Sequence, residues 1–497
     1  MQYTIGYDIG SSSVKAALIE KESGKVVSVI QEPEVEMGMD ALKPGWAEQD
    51  PDDWWNHICI ATRRLIASQN ITPEQIVNIG IAYQMHGLVL VDNDGKPIRK
   101  SIIWCDSRAV EIGQNAYQQI GVERCKRHLL NSPGNFTASK LKWVLEHEPD
   151  IYKKTYKFML PGDYIAYRLT GRMTTTISGL SEGILWDFKE EQTAEWVLQH
   201  FGIHRDLVPE LVDTFSQQGK VTAEAAKATG LMKGASLGYR AGDQPNNALS
   251  LNVFEPGEIA ATGGTSGVVY AVTDSLSVQE SERVNNFAHV NHSPQAPRIG
   301  KLLCINGAGI LYRWMQKNLA VASYDEMNTL ADKINVGSEG LCILPFGNGA
   351  ERMLNNHNLG VHIQHLDLNK HHKAHLCRAS LEGIAFAFVY GMNLLKDDGV
   401  KLKIMRVGND NLFRSSIFSK TIATLTGSEI EVYHTTGAVG AARASSLYEN
   451  DLMRLDKNSL ANDMITTYSP QIERATYEEA YLKWRTILKQ QLKPNTL

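Results

Sequence analysis

The chain of 497 residues is 43% hydrophobic and 21% charged, with 40 glycines and a formal net charge of −5. This length exceeds what one hydrophobic core can organise, so we expect two domains, with three as the alternative. The composition is that of a globular protein, and it lacks the basic excess that nucleic-acid-binding and membrane-surface proteins carry. We therefore expect neither kind of partner.

The cysteine pattern indicates a reducing compartment. Six cysteines are scattered through the chain without C-x-x-C spacing, as is typical of free thiols. The first residues do not show the basic and apolar regions of a signal peptide, and no apolar run approaches the length of about 18 residues that a membrane helix needs. We expect a cytoplasmic protein.

The first predicted element is a β-hairpin over residues 5–19. Its first strand carries Asp8, which offers a hard oxygen ligand for Mg²⁺. Its turn is small and polar, so backbone N–H groups and hydroxyls could surround phosphate oxygens. The phosphate contacts would come from Gly10, Ser11, Ser12, Ser13 and Lys15. From this stretch alone, an ordinary tight hairpin is an equally good interpretation.

Several segments of the first half predict strands and helices of the structural framework. A strand over residues 26–30 follows the hairpin, a helix begins after Asp50, and another helix covers residues 140–147. Asp106 and Arg108 stand at the end of a short strand. Their spacing favours an ion pair over substrate contacts.

Polar side chains follow the strand predicted over residues 79–83. They belong to Gln84, Met85 and His86, before a glycine that permits close approach. Residues at strand ends are where α/β folds place ligand contacts. For His86 considered alone, a hydrogen-bonded structural histidine is the commoner outcome.

A carboxylate occupies another predicted strand end, where a strand within residues 235–242 reaches Asp243 and a helix begins at Asn246. By position, the leading interpretation of Asp243 is a helix N-cap. The functional alternative is a base, because a sugar hydroxyl that attacks a phosphoryl group must lose its proton.

Residues 258–272 repeat the plan of the first hairpin, and their tip, 262–267, aligns with residues 8–13. Two phosphate-type hairpins, about half a chain apart, predict two similar domains that hold one polyphosphate between them. We assign these domains to residues 1–251 and 252–497. Only the first copy has the carboxylate, so we expect it to handle metal and chemistry while the second binds nucleotide.

The second half contains predicted helices over residues 376–395 and 416–425, and a small-residue helix over 436–443 suited to close domain packing. A strand over 403–407 leads to Gly408, where a turn could meet a nucleoside, although a plain helix cap fits equally well. A histidine-rich stretch invites a zinc site, but no cysteine or carboxylate completes one and a solvated face explains it better. Its members are His357, His362, His365, His371, His372 and His375.

Eight motifs, spread over most of the chain, resemble those of one family. They are Asp8-x-Gly-x-x-x-x-Lys15, Gly45-Trp-Ala-Glu-Gln-Asp-Pro51, Gln84-Met-His-Gly87, Trp104-x-Asp-x-Arg108, Thr137-Ala-Ser-Lys-Leu-x-Trp143, Gly242-Asp243, Gly264-Thr-Ser266 and Arg378-Ala-Ser-Leu-Glu-Gly383. Together they resemble the FGGY carbohydrate kinase family, and most closely its xylulokinase branch. The resemblance implies an α/β protein with the actin-like ATPase fold, in which two ribonuclease H-like domains enclose a central cleft.

The resemblance also implies a chemistry, the transfer of phosphate from ATP, with Mg²⁺, to D-xylulose to give D-xylulose 5-phosphate. Asp243 matches the general base, and Asp8 matches the aspartate that holds Mg²⁺, with Asp243 as a further metal contact. The matched nucleotide contacts are Gly10, Ser11, Ser12, Ser13, Lys15, Gly264, Thr265, Ser266 and Gly408. The matched sugar contacts are Gln84, Met85, His86 and Gln244. The expected partners are the sugar and ATP, with a homodimer left open.

Four departures from the family pattern bear on these expectations. Gln244 stands where xylulokinases usually have asparagine, and in this it is more like glycerol kinases. Glu351-Arg-Met353 replaces the usual Gly-Glu-Arg-Thr-Pro stretch, and His365 replaces a glycine common at that position. The glycine-rich adenosine motif is reduced to Gly408-Asn-Asp-Asn411. The alternatives are therefore a family kinase for glycerol, fuculose, rhamnulose or another polyol, or a non-catalytic actin-like nucleotide-binding protein. The retention of both Asp8 and Asp243 argues against the last.

Overall fold

Two β-sheets, one from each half of the chain, form the framework. The structure is a computed structural model, and it describes residues 1–450, 455 and 460–493. The strands of the first half are β1 (Tyr3–Ile9), β2 (Val14–Glu20), β3 (Val26–Glu32), β4 (Glu48–Gln49), β5 (Ile76–Tyr83), β6 (Val89–Val91), β7 (Ser101–Ile102), β8 (Lys157–Met159), β9 (Thr174–Thr175), β10 (Trp186–Asp187), β11 (Gln192–Thr193), β12 (Glu210–Leu211), β13 (Phe215–Lys220) and β14 (Ser236–Gly242).

Ten α-helices connect these strands. They are α1 (Pro51–Gln69), α2 (Val110–Ile120), α3 (Val122–His128), α4 (Thr137–His147), α5 (Pro149–Lys154), α6 (Pro161–Thr170), α7 (Ile177–Glu182), α8 (Glu195–Phe201), α9 (Ala223–Thr229) and α10 (Asp243–Ser250). Helix α1 starts as predicted, because the Asp50 side chain accepts from the backbone N–H of Asp52 and Pro51 occupies the first helical position.

The second half of the chain is likewise built of strands connected by helices. Its strands are β15 (Glu258–Gly263), β16 (Gly267–Thr273), β17 (Asn285–Ala288), β18 (Ile299–Ile305), β19 (Cys342–Phe346), β20 (Gly360–Gln364), β21 (Ile404–Gly408), β22 (Ile430–Tyr433) and β23 (Met464–Tyr468). Its helices are α11 (Gly309–Asn318), α12 (Tyr324–Ala331), α13 (Lys373–Asp397), α14 (Ser416–Thr426), α15 (Gly437–Ala444) and α16 (Arg474–Gln491).

The two large sheets share one topology. The first runs β13-β14-β5-β1-β2-β3 and the second β17-β18-β16-β15-β21-β22-β23. In each, the predicted hairpin (β1 with β2, or β15 with β16) is antiparallel and continues into a further antiparallel strand. On its other side, the first hairpin strand pairs parallel with one strand (β5, or β21), and that strand pairs parallel with the next (β14, or β22). The repeat seen in the sequence is thus a repeat of whole sheets.

Each sheet has a buried core of its own, and a further core is shared. One core lies between the first sheet and α1, where Trp54 and Leu65 are fully buried. Another surrounds α13, which presses Gly383 against the carbonyl oxygen of Ile343. The third contains residues of both halves, among them Tyr239 of β14 and Phe287 of β17. Burial between the halves couples them into one structure.

Helix α15, from the second half of the chain, packs on the first sheet. A β-carbon at Gly6 would lie 2.1 Å from the carbonyl oxygen of Ala438, and one at Gly80 would lie 1.9 Å from that of Ala441. Helix and strand backbones therefore touch with no room for a side chain. The predicted close packing of the 436–443 helix is explained by these contacts.

No helix in the described part of the chain is long and apolar enough to cross a membrane.

The contact at Gly80 predicts a large and selective loss of stability. Gly80→Ala places a methyl group against a helix carbonyl that cannot move without displacing α15, so we expect the free energy of unfolding to fall by about 2 kcal/mol or more. Gly38→Ala is the matched control, because a β-carbon there meets nothing within 4 Å. Urea denaturation of both variants checks this, and equal stabilities would show that α15 accommodates the methyl group.

Candidate active site

The ends of three parallel strands lie side by side in the first sheet. Ile9 of β1, Tyr83 of β5 and Gly242 of β14 are in register. The backbone N–H of Gln84 donates to the carbonyl oxygen of Ile9 at 2.8 Å, so the segments that follow the strands start from a common edge. Carboxyl ends of parallel strands meet at one edge of a sheet, which is the reason that distant residues converge here.

One cavity at this edge gathers most of the residues predicted for chemistry. Asp8 and Asp243 both line it, and so do the first hairpin tip, Gln84 and Trp104. The tip contributes Gly10, Ser11, Ser12, Ser13 and Lys15. Two carboxylates and a hydroxyl-rich turn therefore face the same space.

Asp243 does not cap its helix. It is the first residue of α10, three residues earlier than the predicted helix start, and Gly242 occupies the N-cap position without a side-chain bond. Burial, and then the neighbouring Asp8 carboxylate, raise the pKa of Asp243 to about 7. Burial also raises the pKa of Asp8, against the opposing charge of Lys15. Asp243 thus titrates near neutral pH.

His86 lies beside this cavity in a defined protonation state. Its Nδ1 is 3.0 Å from the carbonyl oxygen of Glu182. A carbonyl can only accept, so Nδ1 carries the proton and Nε2 is left as an acceptor. Burial and the nearby Lys140 ammonium lower the pKa of His86 to about 3, which keeps the ring neutral. The ring also packs against Phe287 of the second half, with centroids 5.2 Å apart.

The other predicted sugar contacts lie close by but do not line the cavity shared by the carboxylates. Met85 is 4% exposed, and a β-carbon at Gly242 would lie 2.6 Å from its Cγ. Gln244 follows Asp243 in α10 and is half-buried. Of the segment Gln84-Met85-His86, only Gln84 faces that cavity.

A buried glutamine that sequence reasoning missed links these parts. The Gln49 amide nitrogen donates to the carbonyl oxygens of Ser11 at 2.7 Å and of Gly38 at 3.1 Å. Its oxygen accepts from the Trp54 indole and the Gln84 amide, each at 3.2 Å. Every hydrogen-bonding position of the amide is used. Gln49 lies within the Gly45–Pro51 motif, which was the available signal.

The predicted ion pair between Asp106 and Arg108 is confirmed. Arg108 donates to Asp106 at 2.7 Å, and both side chains are almost completely buried. Nearby, the Lys140 ammonium donates to the carbonyl oxygens of His86 at 2.8 Å and Ile103 at 2.9 Å. Burial lowers the pKa of Lys140 to about 7. These charges hold the loop that carries Trp104, whose role in lining the cavity was also missed.

The second hairpin tip lines a separate cavity with the turn that follows β21. Gly264 and Thr265 face this space, whereas Ser266 and Gly408 do not. The turn contributes Asp410 instead of the predicted Gly408. The remaining wall consists of Gly263, Gly309, Tyr312, Arg313, Tyr324, Asn411 and Leu412.

Residues 3–250 match the model of the N-terminal domain of the FGGY family of carbohydrate kinases. The chain belongs to this family. It is similar to the xylulose kinase of Escherichia coli (strain K12), with 29% identity over 451 residues that cover 90% of each protein. It is also similar to the crystal structure of a xyloylose kinase from Brucella ovis, with a TM-score of 0.87, 25% identity and coverage of 98% of this chain and 99% of that one.

A third relative shows how far the fold reaches. The crystal structure of Plasmodium falciparum glycerol kinase with ADP has a TM-score of 0.87 at 20% identity and covers 99% of each chain. The predicted actin-like ATPase fold with two ribonuclease H-like domains is confirmed. The chain is a carbohydrate kinase, and kinases of this family use ATP.

The carboxylates of this FGGY kinase fit a magnesium ion. Within the described residues, no group of three or more His, Cys, Asp or Glu side chains is arranged to hold a metal. Mg²⁺ typically takes one or two protein carboxylates and completes its shell with water and phosphate oxygens. Asp8 and Asp243, which line one cavity with the phosphate-type tip, supply that donor set.

The raised pKa of Asp243 predicts a pH-dependent cost in stability. An acid whose pKa rises from 3.8 to about 7 on folding destabilises the protein as pH increases between those values. Asp243→Asn removes the charge, so we expect it to raise the free energy of unfolding at pH 8 by about 1–2 kcal/mol, a figure reduced for solvent in the cleft. Near pH 4 the difference should vanish.

Denaturation curves across this pH range provide the measurement. Asp213→Asn is the control, because Asp213 is exposed and should give equal stabilities at both pH values. A variant at position 243 that is no more stable than the parent at pH 8 would contradict the raised pKa of Asp243.

Proposed function

We propose that this FGGY kinase transfers the γ-phosphate of ATP to D-xylulose, with Asp243 as the general base. The observation that carries the proposal is the shared cavity of Asp243, Asp8 and the hydroxyl-rich tip Gly10–Ser13. This arrangement supports a hydroxyl beside Asp243 and a phosphate against the tip at the same time. Proximity of these two reactants is the main requirement of phosphoryl transfer.

The base step follows from the chemistry of Asp243. The carboxylate accepts a hydrogen bond from the attacking sugar hydroxyl, orients it, and takes its proton as the bond to phosphorus forms. A pKa of about 7 suits this role, since the group is largely ionised slightly above neutral pH and is still basic enough to hold the proton.

The first tip and the metal handle the charge on phosphate. Backbone N–H groups and the hydroxyls of Ser11 to Ser13 would donate to phosphate oxygens, and Lys15 adds a positive charge. Asp8 and Asp243 would hold Mg²⁺, which supplies neutralisation of the phosphate charge when bound. In the second half, Gly264 to Ser266 would contact the nucleotide phosphates, with Gly408 near the nucleoside.

The choice of D-xylulose is supported by the sugar side of the site. The xylulose kinases of Staphylococcus xylosus and Escherichia coli (strain K12) are among the similar proteins, and the family resemblance matches the segment Gln84-Met85-His86 to sugar contacts. His86 offers Nε2 as an acceptor for a sugar hydroxyl, and Gln84 faces the cavity. Gln244 favours the alternative of glycerol or another polyol, and the fold does not separate the two, since a glycerol kinase structure matches equally well.

A non-catalytic nucleotide-binding protein is the alternative from another class. The positions of Asp8 and Asp243 argue against it, because two carboxylates that share one cavity cost stability, and such arrangements cluster at catalytic sites. The division at residue 251, the cytoplasmic location and the homodimer stay predictions.

Removal of the base should abolish turnover and spare nucleotide binding. We expect Asp243→Ala to lower sugar-dependent ADP release by a factor of about 100 or more. Coupled ADP-release assays measure the rate, and titration with ADP measures binding. Sugar phosphorylation at the parent rate by this variant would refute the assignment of the base.

For the parent enzyme, kcat/KM should fall about tenfold per pH unit below pH 7, as Asp243 becomes protonated.

The sugar can be identified by ligand-induced stabilisation. We expect the melting temperature to rise with D-xylulose and to stay constant with glycerol, since only a ligand of the folded state stabilises it. His86→Asn is a suitable probe, because asparagine tolerates the positive φ of 63° at this position. It should raise KM for the sugar and leave KM for ATP unchanged. A shift with glycerol alone would make the polyol the substrate.

A further inference from the structure

The turn after β21 departs from the glycine-rich pattern of the family and places a carboxylate beside the second hairpin tip. The Asp410 Oδ2 accepts from the backbone N–H of Gly263 at 2.5 Å, and Oδ1 accepts from that of Phe413 at 3.0 Å. Gly263 is 147 residues away in the sequence and is the last residue of β15 before the tip. A single side chain thus ties the turn to the tip.

The opposite side of the tip is fixed by helix α11. The backbone N–H of Ile310 donates to the carbonyl oxygen of Thr265 at 2.9 Å. A β-carbon at Gly309 would lie 2.1 Å from the carbonyl oxygen of Gly264. The tip therefore lies between the start of α11 and Asp410 and contacts both. Of these two contacts, the one made by the Asp410 carboxylate can be removed by a substitution that introduces no clash.

The cavity beside the tip has a wall that suits a nucleoside. The rings of Tyr312 and Tyr324 stack with centroids 4.4 Å apart and an interplanar angle of 14°. Asn328 joins this wall to the turn, because it donates to the Tyr312 hydroxyl at 2.8 Å and accepts from the Ser415 hydroxyl at 2.5 Å. Asp410 thus stands where the aromatic wall and the phosphate-type tip meet.

The engagement of both carboxylate oxygens decides what kind of role Asp410 has. A free carboxylate next to a polyphosphate would repel it. Here each oxygen accepts a backbone N–H, so both oxygens are already engaged in internal hydrogen bonds. The geometry is that of a brace and does not require contact with the ligand.

We propose that Asp410 is a positioning residue that holds the second hairpin tip in the shape that binds the nucleotide phosphates. It replaces the close backbone packing of a glycine-rich turn with a side-chain brace between tip and turn. The inference rests on the proposed function, in that the second cavity takes the nucleotide.

Titration of the full-length chain with adenosine and with ADP in the presence of Mg²⁺ tests the brace. Asp410→Ala leaves the N–H groups of Gly263 and Phe413 without their acceptor, so the tip loses its fixed shape. We expect ADP affinity to fall about 10-fold or more and adenosine affinity to change less than about twofold. A merely structural defect would weaken both ligands equally, and that outcome, or an unchanged ADP affinity, would overturn the proposal.

Two further variants keep the test decisive. Asp410→Asn retains one acceptor oxygen and the side-chain shape, so it folds even where the alanine variant does not, and it should lose about threefold in ADP affinity. Asn409→Ala is the matched control, because the Asn409 side chain accepts from Arg414 at 3.0 Å and makes no hydrogen bond to the described residues of the tip. This variant should bind ADP like the parent. A loss at position 409 equal to that at 410 would also overturn the proposal.

These titrations contain no sugar, which separates this inference from the one above. A parent protein that binds ADP but phosphorylates no sugar overturns the proposed function. The role of Asp410 is then decided by whether Asp410→Ala loses more affinity for ADP than for adenosine. A parent protein that binds neither adenosine nor ADP overturns both.

Discussion

The contact between helix α15 and the first sheet is the constraint on which the site depends. The helix begins at Gly437, where a β-carbon would lie 2.6 Å from the Asp8 carboxylate, and its following residues press their carbonyls onto Gly6 and Gly80. Because backbone meets backbone, neither partner can shift by the thickness of a methyl group. The second half of the chain therefore forms the floor beneath Asp8, and the position of that carboxylate is set by both halves.

The electrostatics of the cleft follow from this rigidity. Burial and the neighbouring Asp8 carboxylate raise the pKa of Asp243, and burial raises the pKa of Asp8 against the opposing charge of Lys15. Beside the cavity, burial and the Lys140 ammonium lower the pKa of His86 and keep its ring neutral. Two carboxylates concentrated at one point suit a metal-assisted transfer of phosphate to an uncharged acceptor.

Local patterns in the sequence predicted the hairpins, the strand ends and the residues that line the first cavity other than Trp104, because glycine turns and parallel strand ends have fixed consequences. The side-chain hydrogen bonds that join distant segments around the two cavities could not be predicted. Gln49 reaches Ser11 across 38 residues and Asp410 reaches Gly263 across 147, and no periodicity encodes such pairings. For Asp243, the position at a strand end was predicted correctly. The helix N-cap role that position statistics favoured was wrong, because Gly242 occupies the N-cap position.

The shared topology explains why the halves could diverge around one plan. Strands β1, β5 and β14 correspond to β15, β21 and β22, so the positions after their ends correspond as well. After β5 the chain places Gln84 to His86, and after β21 it places Asp410; after β14 comes Asp243, and shortly after β22 comes Gly437. Asn246 joins the last two, since its amide donates to the Gly437 carbonyl at 2.9 Å. A carboxylate thus follows the strand end in one half and a glycine follows shortly after it in the other, and the absence of a side chain at Gly437 leaves room for the Asp8 carboxylate, which a β-carbon there would approach to 2.6 Å.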